Sequence, residues 1–115
     1  MFKFEGKEFE YFHHPHNNTR INERTVELPL VEYFLNKHSG QGMVEIGAVS
    51  PYYFKGSHLI YDLTDDHPRS VKKDALEVSV YDQALLSVST IEHIGHDFGD
   101  IKDEMKAVRL LEKWL

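Results

Sequence analysis

Met43-Val44-Glu45-Ile46-Gly47-Ala48-Val49 decides the fold: a compact apolar run, broken only by one acid and one glycine, typical of a strand buried on both faces. Working outward, His58-Leu59-Ile60-Tyr61-Asp62 reads as a second such strand, closed by Asp65-Asp66-His67-Pro68. Ser70-Val71-Lys72 reads as a third, very short strand, and Gln83-Ala84-Leu85-Leu86-Ser87-Val88-Ser89 as the fourth. Before them, Ser39-Gly40-Gln41-Gly42 ends a segment in which Ile21, Thr25, Leu28, Val31 and Leu35 recur at helical spacing. Thr19 or Asn18 is expected to cap that helix, and Pro29 to kink or divide it. Phe2 and Phe4, then Phe9 and Tyr11, alternate around Glu5-Gly6-Lys7 and predict a hairpin with one apolar face. His13-His14-Pro15-His16-Asn17-Asn18 has the turn chemistry of a loop. Asp100 opens a final helix with Ile101, Met105, Val108, Leu111 and Leu115 on one face and Asp103 and Glu104 in its first turn.

Continuously apolar strands between two helices predict an α/β protein with a mainly parallel layered sheet. The connections are short, so not every crossover is a long helix. Ligands of such sheets bind beyond the carboxyl ends of the strands.

Composition narrows the function classes. The 115 residues are 41% hydrophobic and 28% charged, enough for one domain with a real core. With no cysteine, a disulfide scaffold and a cysteine-bearing zinc site are excluded. No apolar stretch approaches the roughly 20 residues that span a bilayer, and the N-terminus lacks a signal-peptide layout. The expectation is a cytoplasmic protein. Thirteen Lys and Arg against nineteen Asp and Glu give a net charge of −6, which opposes nucleic-acid backbones.

The strand ends supply the candidate site. Gly47 leaves the backbone open to close approach by a ligand. Glu45 stands inside an apolar run, where its plainest role is pairing with a nearby Arg or Lys. Asp62, at the end of the second strand, is placed to accept hydrogen bonds from both hydroxyls of a ribose; its plain reading is an aspartate that starts a turn. Asp74 follows the third strand as a further acid or a solvated loop residue. After the fourth strand, Ser87-Val88-Ser89-Thr90-Ile91-Glu92-His93-Ile94-Gly95-His96-Asp97 is a polar cluster of the kind that carries function. His93 and His96, with Glu92 or Asp97, fall short of a metal site because further ligands are not evident and Gly95 interrupts a helix. His13, His14 and His16 read as residues of a polar loop.

Glu45-Ile46-Gly47, Asp62, Asp74 and the stretch Tyr81 to Gly95 follow an order that resembles class I S-adenosylmethionine-dependent methyltransferases. The most specific part runs from Tyr81-Asp82 through Ser87-Val88-Ser89-Thr90-Ile91-Glu92-His93-Ile94-Gly95, and Asn22 to Pro29 resembles the helix leading into the family's first strand. The likeness covers roughly residues 11 to 115. It implies a Rossmann-like sheet with flanking helices, in a single domain. Residues 1–16 form the hairpin and loop, and 17–115 the cofactor-binding core. It places Glu45 and Gly47 at the methionine portion of S-adenosylmethionine, Asp62 at the ribose, Asp74 at the adenine edge, and Ser89 to His93 at the floor where methyl donor and acceptor meet. Glu92 or His93 would then take a proton from the acceptor. The glycine-rich loop is reduced to Gly47-Ala48-Val49-Ser50-Pro51, and the family's fifth strand and antiparallel pair do not follow Trp114-Leu115. The expectation is therefore a shortened sheet in a methyltransferase acting on a small acceptor. The alternative is a truncated, non-catalytic or cofactor-degrading S-adenosylmethionine-binding interaction subunit. The exposed fourth strand and the C-terminal helix predict a homodimer through that side, the alternative being that the N-terminal hairpin caps the edge within one chain.

Overall fold

The computed structural model describes residues 1–16, 19, 22–39, 41–80, 83–91, 94, 102–103 and 105–114. The chain opens with β1 (Phe2–Phe4) and β2 (Lys7–Phe9), an antiparallel hairpin in which Phe2 faces Phe9 and Phe4 faces Lys7. Glu5 and Gly6 turn it, both at positive φ (48° and 76°), as a two-residue hairpin turn of this hand requires. Its apolar face forms in part: Phe2 stacks on Phe9 at 5.5 Å and Phe9 meets Tyr33 edge-on at 5.7 Å, while Phe4 and Tyr11 stay exposed.

Helix α1 spans Arg24–Lys37. It starts later than the sequence predicts because Thr19 is engaged elsewhere. Thr19 is fully buried, donates to the His16 carbonyl at 2.8 Å and meets the Tyr53 hydroxyl at 3.0 Å. The Asn22 side chain accepts from the Arg24 N–H instead, at 3.1 Å. Asn18 and Ile21 lie outside the described residues. Pro29 does not divide α1. Lacking an N–H, it strands the Thr25 carbonyl one turn earlier, and the Phe12 N–H fills that position at 3.0 Å. The segment after the hairpin thus repairs the helix.

Four parallel strands form the sheet: β3 (Met43–Ile46), β4 (Leu59–Asp62), β5 (Ser70–Lys72) and β6 (Ala84–Leu86), in the order β5-β4-β3-β6. β3 and β6 are shorter than the apolar runs that announce them. β3 stops at Ile46 because Gly47 turns to φ 87°, and Ala48 and Val49 bond to carboxylates rather than to a neighbouring strand. Single 3-10 turns, Ser50–Tyr52 and Ala75–Glu77, lie within two of the crossovers. Val31 of α1 packs with Leu86 and Val88, while Val44, Ile46 and Val78 form a second cluster that Trp114 joins.

Helix α2 spans Lys106–Trp114. The apolar stripe read from the sequence is turned outward, with Met105 exposed by 54%, Val108 by 42% and Leu111 by 39%. Lys106 and Leu110 are buried instead, with Trp114 half-buried one further turn along. Polar contacts decide this. The Lys106 ammonium lies 2.6 Å from Asp74, Lys113 donates to the Leu76 carbonyl, and Asp103 accepts from the Met105 N–H at the helix start. Asp100, Ile101, Glu104 and Leu115 lie outside the described residues. Among the described residues no helix is long and apolar enough to cross a membrane.

Candidate functional site

A cavity of about 310 Å³ lies at the carboxyl ends of the strands, where the chain segments that follow all four converge. Gly47, Ala48 and Val49 after β3 form one part of its wall. Asp62 to Asp65 at the end of β4, Lys73 to Ala75 after β5, and Ser89 and Thr90 after β6 form the rest, with Arg24 and Lys106 contributed by the two helices. Its size falls at the small end of ligand pockets. A second cavity of about 360 Å³ sits at the amino ends of β3 and β4, among Gly42, Ser57 and Leu59. It is larger, but the strand-end acids do not reach it.

Gly47 is demanded by its surroundings. A β-carbon there would stand 2.1 Å from the Thr90 hydroxyl, and its φ of 87° disfavours any side chain. Its N–H donates to the Tyr61 carbonyl at 2.8 Å, tying the loop after β3 to β4. The glycine therefore serves the approach of Thr90.

Glu45 is wholly buried and does not line the cavity. One carboxylate oxygen accepts from the N–H groups of Val49 (3.1 Å) and Ser50 (2.9 Å). The other accepts from the Ser50 hydroxyl and lies 2.7 Å from Nε2 of His58. Arg69, which only donates, lies 3.4 Å from Nδ1 of the same ring and donates to the His58 carbonyl at 3.1 Å. Nδ1 is then the acceptor, and Nε2 carries its proton toward Glu45. The partner of Glu45 is thus a histidine and a loop backbone, not the lysine or arginine that the sequence suggested.

Asp62 does line the cavity. Its Oδ2 accepts from the Ala48 N–H at 2.9 Å, and its Oδ1 from the N–H groups of Thr64 and Asp65, both at 3.0 Å. The carboxylate clamps two loops together and retains acceptor capacity, since three donors meet about four lone-pair positions. Asp74 caps the turn Ala75–Glu77 through the Leu76 N–H at 3.0 Å and pairs with Lys106 at 2.6 Å. Ser89 stands in the left-handed region at φ 46°, held there by a hydrogen bond from its hydroxyl to Glu27. Glu27 also pairs with Arg24, so α1 and the loop after β6 meet through one carboxylate. Glu92 and His93 lie outside the described residues, as do His96 and Asp97.

Four charged wall residues escaped the sequence reading: Arg24, Asp65, Lys73 and Lys106. Asp65 accepts from the Tyr52 hydroxyl at 2.8 and 2.9 Å and from the His67 N–H at 2.8 Å. Burial first, and this carboxylate second, push the Tyr52 phenol up to about 12. Asp62, Asp65 and Asp74 are thus set against Arg24, Lys73 and Lys106, and the lining is formally neutral. A signal for two of the cations was present in the sequence: Lys73 directly precedes Asp74, and Lys106 interrupts the apolar pattern of α2.

No family model, curated protein or solved structure matches the chain.

Proposed function

We propose that the chain is a Rossmann-like S-adenosylmethionine-binding protein, with α1 and α2 flanking a shortened parallel sheet, that transfers a methyl group to a small acceptor. The observation that carries this reading is the convergence of all four strand-end segments on one cavity, with Asp62 at the β4 wall. The sheet runs outward from β3 in two directions, β4 and β5 to one side and β6 to the other, and open α/β sheets bind ligands at such a switch point.

The residues present fit the ribose position. Three backbone donors fix the Asp62 carboxylate and leave about one acceptor position, room for one ribose hydroxyl rather than the two the sequence reading expected. When bound, the cofactor supplies an electrophilic methyl group on a sulfonium. The chain's own part is then alignment and exclusion of water rather than covalent chemistry. Ser89, fixed by Glu27, and Thr90 would form the floor beside the acceptor, with Glu92 or His93 accepting its proton. Asp74, already paired with Lys106, would meet the adenine edge as part of an ion pair.

Thermal unfolding tests the reading. S-adenosylmethionine and S-adenosylhomocysteine should each raise the melting temperature, because a ligand bound only by the native state stabilises it. Thr64→Trp, which keeps the backbone bond to Asp62 while filling the cavity wall, should abolish that rise. No shift with either compound at millimolar concentration would sink the proposal. Binding without turnover, or breakdown of the methyl donor with no acceptor present, would assign the alternative role.

The same reading includes a homodimer through β6 and α2. Among the described residues β6 pairs with β3 alone, and Met105, Val108 and Leu111 expose apolar surface. Light scattering at micromolar concentration should report twice the 13.4 kDa of one chain; a mass of 13.4 kDa removes the dimer.

A further inference from the structure

The charges lining the carboxyl-end cavity are engaged, with one exception. Asp62 accepts from three backbone N–H groups, Asp65 from Tyr52 and His67, and Asp74 from Leu76 and Lys106. Arg24 is paired with Glu27, and Lys106 with Asp74. Lys73 is different. Among the described residues its ammonium has no carboxylate partner, and it lies 5.5 Å from the centroid of the Tyr61 ring. An ammonium carries three donors and no acceptor, and in a concave, half-buried setting an unpaired one attracts an anion.

Its place in the chain says which anion. The Lys73 N–H donates to the Asp62 carbonyl at 3.1 Å, so the free cation and the cavity's hydroxyl-accepting carboxylate spring from bonded neighbours, the residue after β5 and the last residue of β4. A ribose held by one hydroxyl at Asp62 directs the substituent of its vicinal oxygen along the same wall. We propose that the cavity binds a ribonucleoside carrying a phosphomonoester on its 2′ or 3′ oxygen, with Asp62 on the free hydroxyl and Lys73 on the phosphate. The Tyr61 ring beneath the ammonium keeps it in place through a cation–π contact without neutralising it. This goes beyond the methyl-donor reading and shares with it only the ribose at Asp62.

Calorimetric titration of the whole chain with adenosine, adenosine 2′-monophosphate, adenosine 3′-monophosphate and inorganic phosphate tests it. At least one of the two monophosphates should bind about tenfold or more tightly than adenosine, with an advantage that shrinks as salt rises. Lys73→Met should reduce that monophosphate to the affinity of adenosine, and Lys73→Arg should preserve the preference. Equal affinity for the nucleoside and both monophosphates overturns the proposal, as does a preference that survives Lys73→Met or no binding of either monophosphate. Parallel titration with S-adenosylmethionine separates the two readings. Phosphate preference without methyl-donor binding leaves only this one standing, and methyl-donor binding without phosphate preference leaves only the other.

Discussion

The loop after β3 and the junction between Asp74 and α2 both contribute wall to one cavity, yet they hold their carboxylates by opposite means. Beneath the first, Glu45 is completely buried and meets no lysine or arginine but two backbone N–H groups, a serine hydroxyl and a histidine ring nitrogen. In the second, Asp74 meets a lysine ammonium and keeps 29% of its side-chain surface in solvent. A buried carboxylate surrounded by fixed donors is stable only while each bond is kept, because every orphaned donor pays the desolvation penalty. An ion pair whose acid is part-exposed can exchange that acid's partner for water or for a ligand. Acids at the ends of parallel strands therefore divide into those that build the loop and those that can answer to what binds in it.

The largest expected effect breaks the first region. Glu45→Ala leaves the donors of Val49, Ser50 and His58 without their acceptor, and should destabilise the fold by about 3–5 kcal/mol in urea unfolding. A loss below about 1 kcal/mol would show that the loop does not depend on this carboxylate. Breaking the second region should be milder. Lys106→Met keeps the apolar stem and removes the ammonium, while Asp74 retains its bond from Leu76. A loss of about 1–2 kcal/mol is expected, narrowing between low and high salt because the partner is part-exposed. A loss as large as that of Glu45→Ala, and insensitive to salt, would erase the distinction between the two regions.

The four strands are legible because each apolar run is bounded by turn chemistry. Their lengths are not. Gly47 ends β3 through a contact with Thr90 that no local pattern encodes, since the two residues meet only when the ends of β3 and β6 are brought together. Which face of α2 is buried has an electrostatic cause that the apolar pattern does not encode. Met105, Val108 and Leu111 have the stronger apolar pattern, but Lys106 carries an apolar stem that packs and a charge that reaches Asp74. Pro29 was read as a helix breaker because its missing partner, the Phe12 N–H, comes from before the helix. Asp62 was legible as a strand-end acid at the cavity, whereas the role of Glu45 depends on backbone donors that carry no sequence signature.

The proposal that the carboxyl-end cavity, organised by Asp62, holds an S-adenosyl ligand stands or falls on one measurement. Backbone amide resonances recorded during titration with S-adenosylhomocysteine test it most directly. The expected result is that the largest shifts fall on Gly47, Ala48, Asp62, Thr64 and Thr90, with Gly42 and Ser57 at the amino-end cavity unmoved. Shifts centred on Gly42 and Ser57, or no shifts at all, would contradict it.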